Sequence, residues 1–135
     1  MCENCDICFL SETHMTKGQN LVIPNFSCTN HPFSSVEDRK PRGGICCLVK
    51  EKYLQYIVEI NKEIPEFMYL RLRGGHIIFS NYIPPIDSIY YLDEQFTNFP
   101  TILTQMDSNR TFIGGGDMNS RVGDINQKIS FSNCF

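Results

Sequence analysis

The sequence predicts one domain of mixed α/β or α+β class in which one layer is incomplete. Three observations indicate this class: apolar runs of strand length recur along the chain, several of them end in polar residues, and a segment with helical spacing precedes the last run. The chain has 135 residues, of which 41% are hydrophobic, so it is long enough to bury a core and is not disordered in composition. The predicted domain covers residues 1–135, because no repeat or long linker divides it.

Strands are predicted in the first half of the chain at residues 6–11, 43–50 and 53–60. The run at 43–50 is apolar without alternation, which is typical of a strand buried on both faces. The run at 53–60 alternates apolar and polar residues, which indicates a half-buried strand. The segment 13–41 contains three prolines and has no sustained period, so it is predicted as loop with at most a short strand at 17–23.

A β-hairpin and a helix are predicted in the second half. Residues 66–82 form the hairpin around a Gly-Gly turn. Residues 87–105 form a helix that a proline interrupts. The apolar face of that helix consists of Ile89, Leu92, Phe96 and Phe99. A last strand at 111–116 follows, and residues 125–135 are expected to be a frayed tail.

The most informative motif is Gly114-Gly115-Gly116-Asp117-Met118-Asn119, where the last predicted strand ends. On extended backbone, Asp117 and Asn119 point the same way and can converge on one small target. The glycines let another backbone or a ligand approach closely. The alternative is a Gly-rich turn in which Asp and Asn are turn formers. The motif alone leaves both interpretations open.

Two other predicted strands end in polar groups. Glu12 follows the first strand, and Tyr82 ends the hairpin before Pro84-Pro85. Carboxylate and amide oxygens are suitable ligands for a hard cation such as Mg²⁺, which keeps several waters and needs few protein groups. A phenol can donate a hydrogen bond to a phosphate oxygen. The simpler interpretation makes Glu12 a solvated residue and Tyr82 a half-buried aromatic with its hydroxyl in water.

In this order, the motifs Ile-Cys-Phe-Leu-Ser-Glu12-Thr-His, Arg42-Gly-Gly-Ile-Cys, Asn-Tyr82-Ile-Pro-Pro and Gly-Gly-Asp117-Met-Asn119 resemble the endonuclease/exonuclease/phosphatase superfamily. That superfamily includes the exonuclease III and DNase I-like enzymes. The continuation Asn119-Ser-Arg-Val-Gly is most similar to the endonuclease domain of non-LTR retrotransposons. The resemblance implies a four-layer DNase I-like sandwich of mixed sheets, present here in incomplete form.

The resemblance also implies a reaction, the hydrolysis of a DNA phosphodiester with Mg²⁺ or Mn²⁺. Glu12 would bind the metal, and Tyr82 would contact the phosphate. Asp117 would orient or deprotonate the attacking water, and Asn119 would hold that water or a phosphate oxygen. The expected partner is the DNA backbone. A phosphatase acting on a small phosphoester would have the same core motifs.

The chain departs from the family's pattern at both ends. The family has a strand bearing an Asn before the Glu strand, and it ends with a Ser-Asp-His segment; neither has a counterpart here. The three histidines, His14, His31 and His76, all precede the Gly-Gly-Asp motif. Because residues that act as a unit fail together, we expect a partial domain that is weakly active or inactive alone. The alternative is a non-catalytic remnant that serves as an interaction module.

Charge and cysteine content limit which partners and which cellular location are expected. A formal net charge of −3 argues against broad nucleic-acid binding through bulk charge. No apolar stretch approaches the roughly 20 residues of a membrane span, so no membrane partner is expected. The seven cysteines are odd in number, and several lie inside apolar runs. They favour free thiols in a reducing compartment, so the expected location is intracellular, with the nucleus included.

The cysteines also support a rival prediction, a small zinc-binding module. Cys2 and Cys5, followed by Cys28 and His31, have the local pair spacing of a zinc site. An apolar strand lies between the two pairs, so scattered free thiols are the simpler interpretation. Stoichiometric zinc in the purified protein would favour the rival.

Overall fold

The computed structural model describes residues 5–33, 42–89, 91 and 111–119, and these residues form seven strands in two sheets. The elements are β1 (Ile7–Leu10), β2 (Phe26–His31), β3 (Ile45–Lys50), a 3-10 helix (Glu51–Tyr56), β4 (Ile57–Asn61), β5 (Phe67–Leu72), β6 (Ile77–Tyr82) and β7 (Phe112–Asp117). One sheet has the order β1-β3-β2 and the other β4-β5-β6-β7. Neighbouring strands are antiparallel except β6 and β7, which are parallel. The predicted mixed class is confirmed at this coarse level, with strands predominating.

The core lies between the two sheets. Every second residue of β3 faces inward, and these residues pack with two residues of β5 and the last residue of β6. The buried cluster is Ile45, Cys47, Val49, Met68, Leu70 and Tyr82. Burying an aliphatic side chain of this size contributes about 1.5–3 kcal/mol relative to leaving it exposed. The five residues from Ile45 to Val49 are all buried, which confirms the prediction of a strand covered on both faces.

Most of the predicted strands are confirmed within one or two residues, but the prediction of loop over 13–41 is wrong in part. β2 lies within that segment and pairs with β3 along its whole length. Its sequence Phe-Ser-Cys-Thr-Asn-His has no apolar alternation, so it carries no signal for a strand. β2 is stabilised by the ladder to β3 more than by its own side chains. The short strand expected at 17–23 amounts to an isolated bridge between Ile23 and Phe26.

The strand predicted over 53–60 is correct only in its second half. Residues 51–56 form the 3-10 helix, and β4 begins at Ile57. Tyr53 and Tyr56 are three residues apart, and their ring centroids are 6.4 Å apart, as expected where positions i and i+3 eclipse. The alternation that predicted the strand rested on Leu54, Tyr56, Val58 and Ile60; the first two of these lie in the 3-10 helix, and both are exposed. Their pattern therefore reflects surface positions and not a buried strand face.

The predicted helix over 87–105 and the tail over 125–135 lie mostly or wholly outside the described residues. Within the described part of the chain, no helix has the length and apolar character that crossing a membrane requires.

Candidate functional site

Three strand ends and two strand beginnings meet at one side of the molecule, which we call the cleft edge. β1 is antiparallel to β3, so the end of β1 lies beside the start of β3. β5 is antiparallel to β6, and β6 is parallel to β7, so the start of β5 lies beside the ends of β6 and β7. The segments at this edge are residues 12–14, residues 42–44, Glu66, Tyr82 and residues 117–119. Sheet topology therefore brings strand-end residues together although they are distant in the sequence.

Tyr82 and Glu12 join the two sheets at the cleft edge. The Tyr82 hydroxyl donates a hydrogen bond of 2.5 Å to Glu12 Oε1. Tyr82 is 7% exposed, whereas Glu12 faces solvent. Hydrogen bonds to an ionised carboxylate are shorter and stronger than neutral ones. Burial raises the pKa of Tyr82, and its hydrogen bond to Glu12 raises that pKa further. The hydroxyl therefore stays protonated and remains a donor.

The Gly43-Gly44 loop fixes the backbone beside Glu12. The Thr13 N–H donates to Gly44 O over 3.1 Å, and the His14 N–H donates to Gly43 O over 2.9 Å. Glu12 and His14 have φ angles of 52° and 53°, in the left-handed region. That region costs a non-glycine residue roughly 1–2 kcal/mol, so it persists where surrounding contacts impose it. The two backbone hydrogen bonds supply those contacts and hold Glu12 towards Tyr82.

Glu66 is a buried carboxylate at the cleft edge that the sequence did not single out. It is 3% exposed and has a φ angle of 56°. The Gly44 N–H donates to both carboxylate oxygens of Glu66, each over 3.0 Å. A Cβ at Gly43 would overlap Glu66 Oε1, so this position requires glycine. Burial raises the pKa of Glu66 to about 7; the Gly44 hydrogen bond opposes this rise, and the negative charge of Glu12 adds to it.

No sequence pattern around Glu66 distinguishes it from a surface acid. It follows Pro65 where the hairpin begins, and an acid there is typical of a turn. The available signal was the pair Gly43-Gly44 before a buried strand. A buried backbone N–H in such a loop needs an acceptor, and Glu66 provides it.

Asp117 and Asn119 lie together against the end of β6. Asp117 pairs in register with Tyr82, and its carbonyl accepts the Ile83 N–H over 2.8 Å. Asp117 Oδ1 accepts the Asn119 N–H over 2.9 Å, and Asn119 Nδ2 donates to Ile83 O over 3.0 Å. Asn119 has a φ angle of 43°, and β7 ends at Asp117. The two residues are therefore joined by a turn, in which the Asp117 side chain bonds the Asn119 backbone, and not by the extended alternation that the motif suggested.

The last glycine of the triple-glycine motif permits close approach of β7 to β6. Gly116 pairs in register with Asn81. A Cβ on Gly116 would overlap the Asn81 carbonyl oxygen. The expectation that these glycines let another backbone approach is therefore confirmed at this position.

A cleft of about 480 Å³ opens at this edge. Its ionisable lining residues are Glu12, His14, Arg42, Glu66, Tyr82 and Asp87. Asp117 and Asn119 lie beside the cleft on the neighbouring strand end, outside this lining. The negative charges of Glu12, Glu66 and Asp117 all raise the pKa of Tyr82, which places three carboxylates around one phenol. Within the described ranges Glu12 forms no ion pair, so the cleft carries an excess of negative charge.

The carboxylates approach one another without forming a multidentate metal cage. In the described ranges, no three His, Cys, Asp or Glu side chains converge closely enough to hold one ion. Glu12, with one oxygen bonded to Tyr82 and its side chain exposed to solvent, is chemically suited to act as the direct ligand of a cation that keeps most of its waters.

The residues of the rival zinc prediction that the structure describes do not come together. Cys28 and His31 are three positions apart on β2, so their side chains are on opposite faces of the sheet. The His31 ring is hydrogen bonded to Ile64 O over 2.8 Å, and the Cys5 thiol donates to Ile7 O. Cys2 lies outside the described residues. The geometry does not support a site that combines Cys28 with His31.

No protein-family model, curated protein or solved structure matches this chain. The chemistry of the cleft edge is therefore understood from its own geometry.

Proposed function

We propose that this chain is a metal-dependent phosphodiester hydrolase of the DNA endonuclease type, on an incomplete DNase I-like sandwich. The observation that supports this proposal is the hydrogen bond between Tyr82 and Glu12, which joins the ends of strands from two sheets with Asp117 beside them. An exposed carboxylate, a protonated phenol and an acid–amide turn are suitable groups for hydrolysis at phosphorus.

Glu12 is the residue that would hold Mg²⁺ or Mn²⁺. The second oxygen of its carboxylate is left for a ligand, because the first accepts the Tyr82 hydroxyl. When bound, the metal would neutralise charge that develops on a phosphoryl oxygen. A cleft with excess negative charge would repel a phosphodiester, so a divalent cation is also what allows this substrate to enter.

The remaining residues would bind and orient the reactants. Tyr82 fixes the Glu12 carboxylate and stays protonated, because burial and Glu12 raise its pKa. Asp117 bonds the Asn119 N–H with Oδ1, which leaves Oδ2 to orient a water. Arg42 lines the same cleft and can contact a phosphate oxygen. DNA is the proposed substrate, and a small phosphoester is the alternative within the same chemistry.

The test is nicking of supercoiled plasmid by the full chain with Mg²⁺ or Mn²⁺, together with direct measurement of Mn²⁺ binding by electron paramagnetic resonance. We expect slow nicking that Glu12→Gln reduces about 100-fold or more, since charge stabilisation is usually the largest catalytic contribution. Glu12→Gln should also lose the bound Mn²⁺. Glu59→Gln is the matched control, because Glu59 also accepts a tyrosine hydroxyl but lies on the β4–β5 pair; it should change neither readout.

Two outcomes would decide against the hydrolase. Nicking that survives in Glu12→Gln at the wild-type rate would assign the cleavage to another group or a contaminant. Mn²⁺ bound at Glu12 without any nicking would leave a non-catalytic, metal-binding remnant of the same fold.

A further inference from the structure

Three cysteines share the face of the three-stranded sheet that is opposite the core cluster between the sheets. Cys8 and Cys28 both pair in register with Leu48 of the central strand. Cys46 lies two residues before Leu48, so it projects from the same face. Cys47, between them, belongs to the core on the opposite face. None of these four cysteines forms a disulfide.

Two of these thiols are already in contact. The Sγ atoms of Cys28 and Cys46 are 3.1 Å apart across the β2–β3 pair. A disulfide needs an S–S distance of about 2.05 Å, so bond formation requires the sulfurs to approach by about 1 Å, together with a movement of the two strands towards each other. The two residues are separated by 17 others along the chain, and the β2–β3 ladder holds them in place.

The environments of the two thiols differ, which sets an order of reaction. Cys28 is half-buried on β2, a strand at the edge of its sheet, whereas Cys46 is 0% exposed on the central strand. Burial raises the pKa of Cys46 to about 12, and the neighbouring Cys28 adds to the rise. A small oxidant therefore meets Cys28 first, and Cys46 is the resolving thiol.

We propose that Cys28 and Cys46 are a redox modification site, at which a peroxide closes a reversible disulfide between β2 and β3. The Cys28 thiol loses its proton, the thiolate attacks the peroxide, and the O–O bond breaks to give Cys28 sulfenic acid and hydroxide. The hydroxide takes up the proton that Cys28 lost and becomes the first water. The Cys46 sulfur then attacks the sulfenic sulfur and the S–O bond breaks. The Cys46 proton leaves with the displaced oxygen as water. Two thiols are oxidised by two electrons, and one hydrogen peroxide is reduced to two waters.

The position of the pair makes this disulfide easy to reduce. Cys28 is opposite Leu48, so Cys28 and Cys46 are diagonal neighbours. Diagonal Cα atoms in a sheet are about 7–8 Å apart, beyond the usual span of a disulfide. The bond would be strained, and strained disulfides have more oxidising potentials. The loop that it closes contains Arg42, Gly43 and Gly44 of the cleft edge.

The experiment uses the full chain with Cys2→Ser and Cys134→Ser, which removes the cysteines outside the described residues. The protein is treated with equimolar hydrogen peroxide, its remaining thiols are alkylated, and unreduced peptides are mapped by mass spectrometry. We expect two thiols lost per chain, one peptide that links Cys28 to Cys46, and full reversal by dithiothreitol. Cys28→Ser should leave Cys46 as a thiol.

Cys8→Ser is the matched control, because Cys8 is on the same face, and the Cys28–Cys46 link should persist in it. The same oxidation in concentrated urea should spread the disulfides over several pairs, so selection of one pair reports the fold. A predominant link from Cys8, oxidation that stops at sulfenic or sulfinic acid, or no loss of thiols in the folded chain would each overturn the proposal.

Discussion

Two tyrosine–glutamate hydrogen bonds lie in contrasting places among the residues that the structure describes. At the cleft edge, Tyr82 donates to Glu12 over 2.5 Å and joins two sheets. On the β4–β5 pair, Tyr69 donates to Glu59 over 3.0 Å within one sheet. Arg71 completes this second pair, with Nε 2.9 Å and Nη2 2.7 Å from Glu59 Oε2.

The difference lies in the charge around each carboxylate. Partial burial favours a raised pKa for Glu59, but hydrogen bonds from Tyr69 and Arg71 outweigh it and lower that pKa. The carboxylate beside the Tyr82–Glu12 pair is that of Glu66. Burial raises the pKa of Glu66 to about 7, and the negative charge of Glu12 adds to the rise. The same residue types thus form a neutralised surface pair in one region and an acidic cleft in the other. The acidic cleft is the arrangement whose negative charge a bound cation would neutralise. Paired substitutions in the two regions can test this comparison.

The largest effect on the free energy of unfolding is expected from Gly43→Ala. An alanine there combines a φ angle of 64° with a Cβ that overlaps Glu66 Oε1, so it displaces the acceptor of the Gly44 N–H. Backbone strain and a buried unsatisfied N–H together should lower the free energy of unfolding by about 3–4 kcal/mol. Urea denaturation measures this.

The matched control is Gly74→Ala in the turn between β5 and β6. Gly74 has a φ angle of 102°, but its nearest neighbouring atom would be 3.8 Å from a new Cβ. Only the backbone strain remains, at about 1–2 kcal/mol. If both substitutions lowered the free energy of unfolding by the same amount, Glu66 would not restrict the Gly43 position.

The strands that sequence could predict are those whose own side chains determine them. β3 is an uninterrupted apolar run, and β7 begins with the apolar pair Phe112-Ile113, so both were found. β2 was missed, because its polar residues are ordered by pairing with β3, a contact between distant segments. At the site, Glu12, Tyr82, Asp117 and Asn119 were named from their positions at strand ends. Glu66 was missed, because its burial depends on the Gly43-Gly44 loop.

The second largest effect is the dependence of the free energy of unfolding on pH. Glu66 has a folded-state pKa of about 7 against a usual value of 4.5, so the folded protein binds this proton more tightly than the unfolded chain. The stabilisation that protonated Glu66 contributes is complete below pH 4.5, falls as pH rises to about 7, and is absent above that. The difference between the two pKa values corresponds to about 3 kcal/mol in the free energy of unfolding. Glu66→Gln keeps an acceptor for Gly44 and cannot ionise, so its stability should stay level across this range.

Unfolding of both proteins at pH 5 and pH 8 provides the measurement. The glutamine variant should match the wild type at pH 5 and exceed it at pH 8. Glu59→Gln is the control of opposite sign: its lowered pKa stabilises the fold above pH 4.5, and that contribution is lost only as pH falls below it. A wild-type slope between pH 5 and pH 8 that persists in Glu66→Gln would assign the titration to another group.

The smallest effect compares the two phenols. Tyr82→Phe removes a short hydrogen bond from a buried donor and should lower the free energy of unfolding by about 1–1.5 kcal/mol. Tyr69→Phe removes a longer bond from a partly exposed pair and should cost about 0.5 kcal/mol. Double-mutant cycles with Glu12→Gln and Glu59→Gln isolate each coupling. Because Tyr82 connects two sheets and Tyr69 connects neighbouring strands of one, the Tyr82–Glu12 coupling should be the larger. A Tyr69–Glu59 coupling as large as that of Tyr82–Glu12 would mean that the cleft pair is an ordinary surface contact, without the fixed carboxylate that the proposed metal ligand requires.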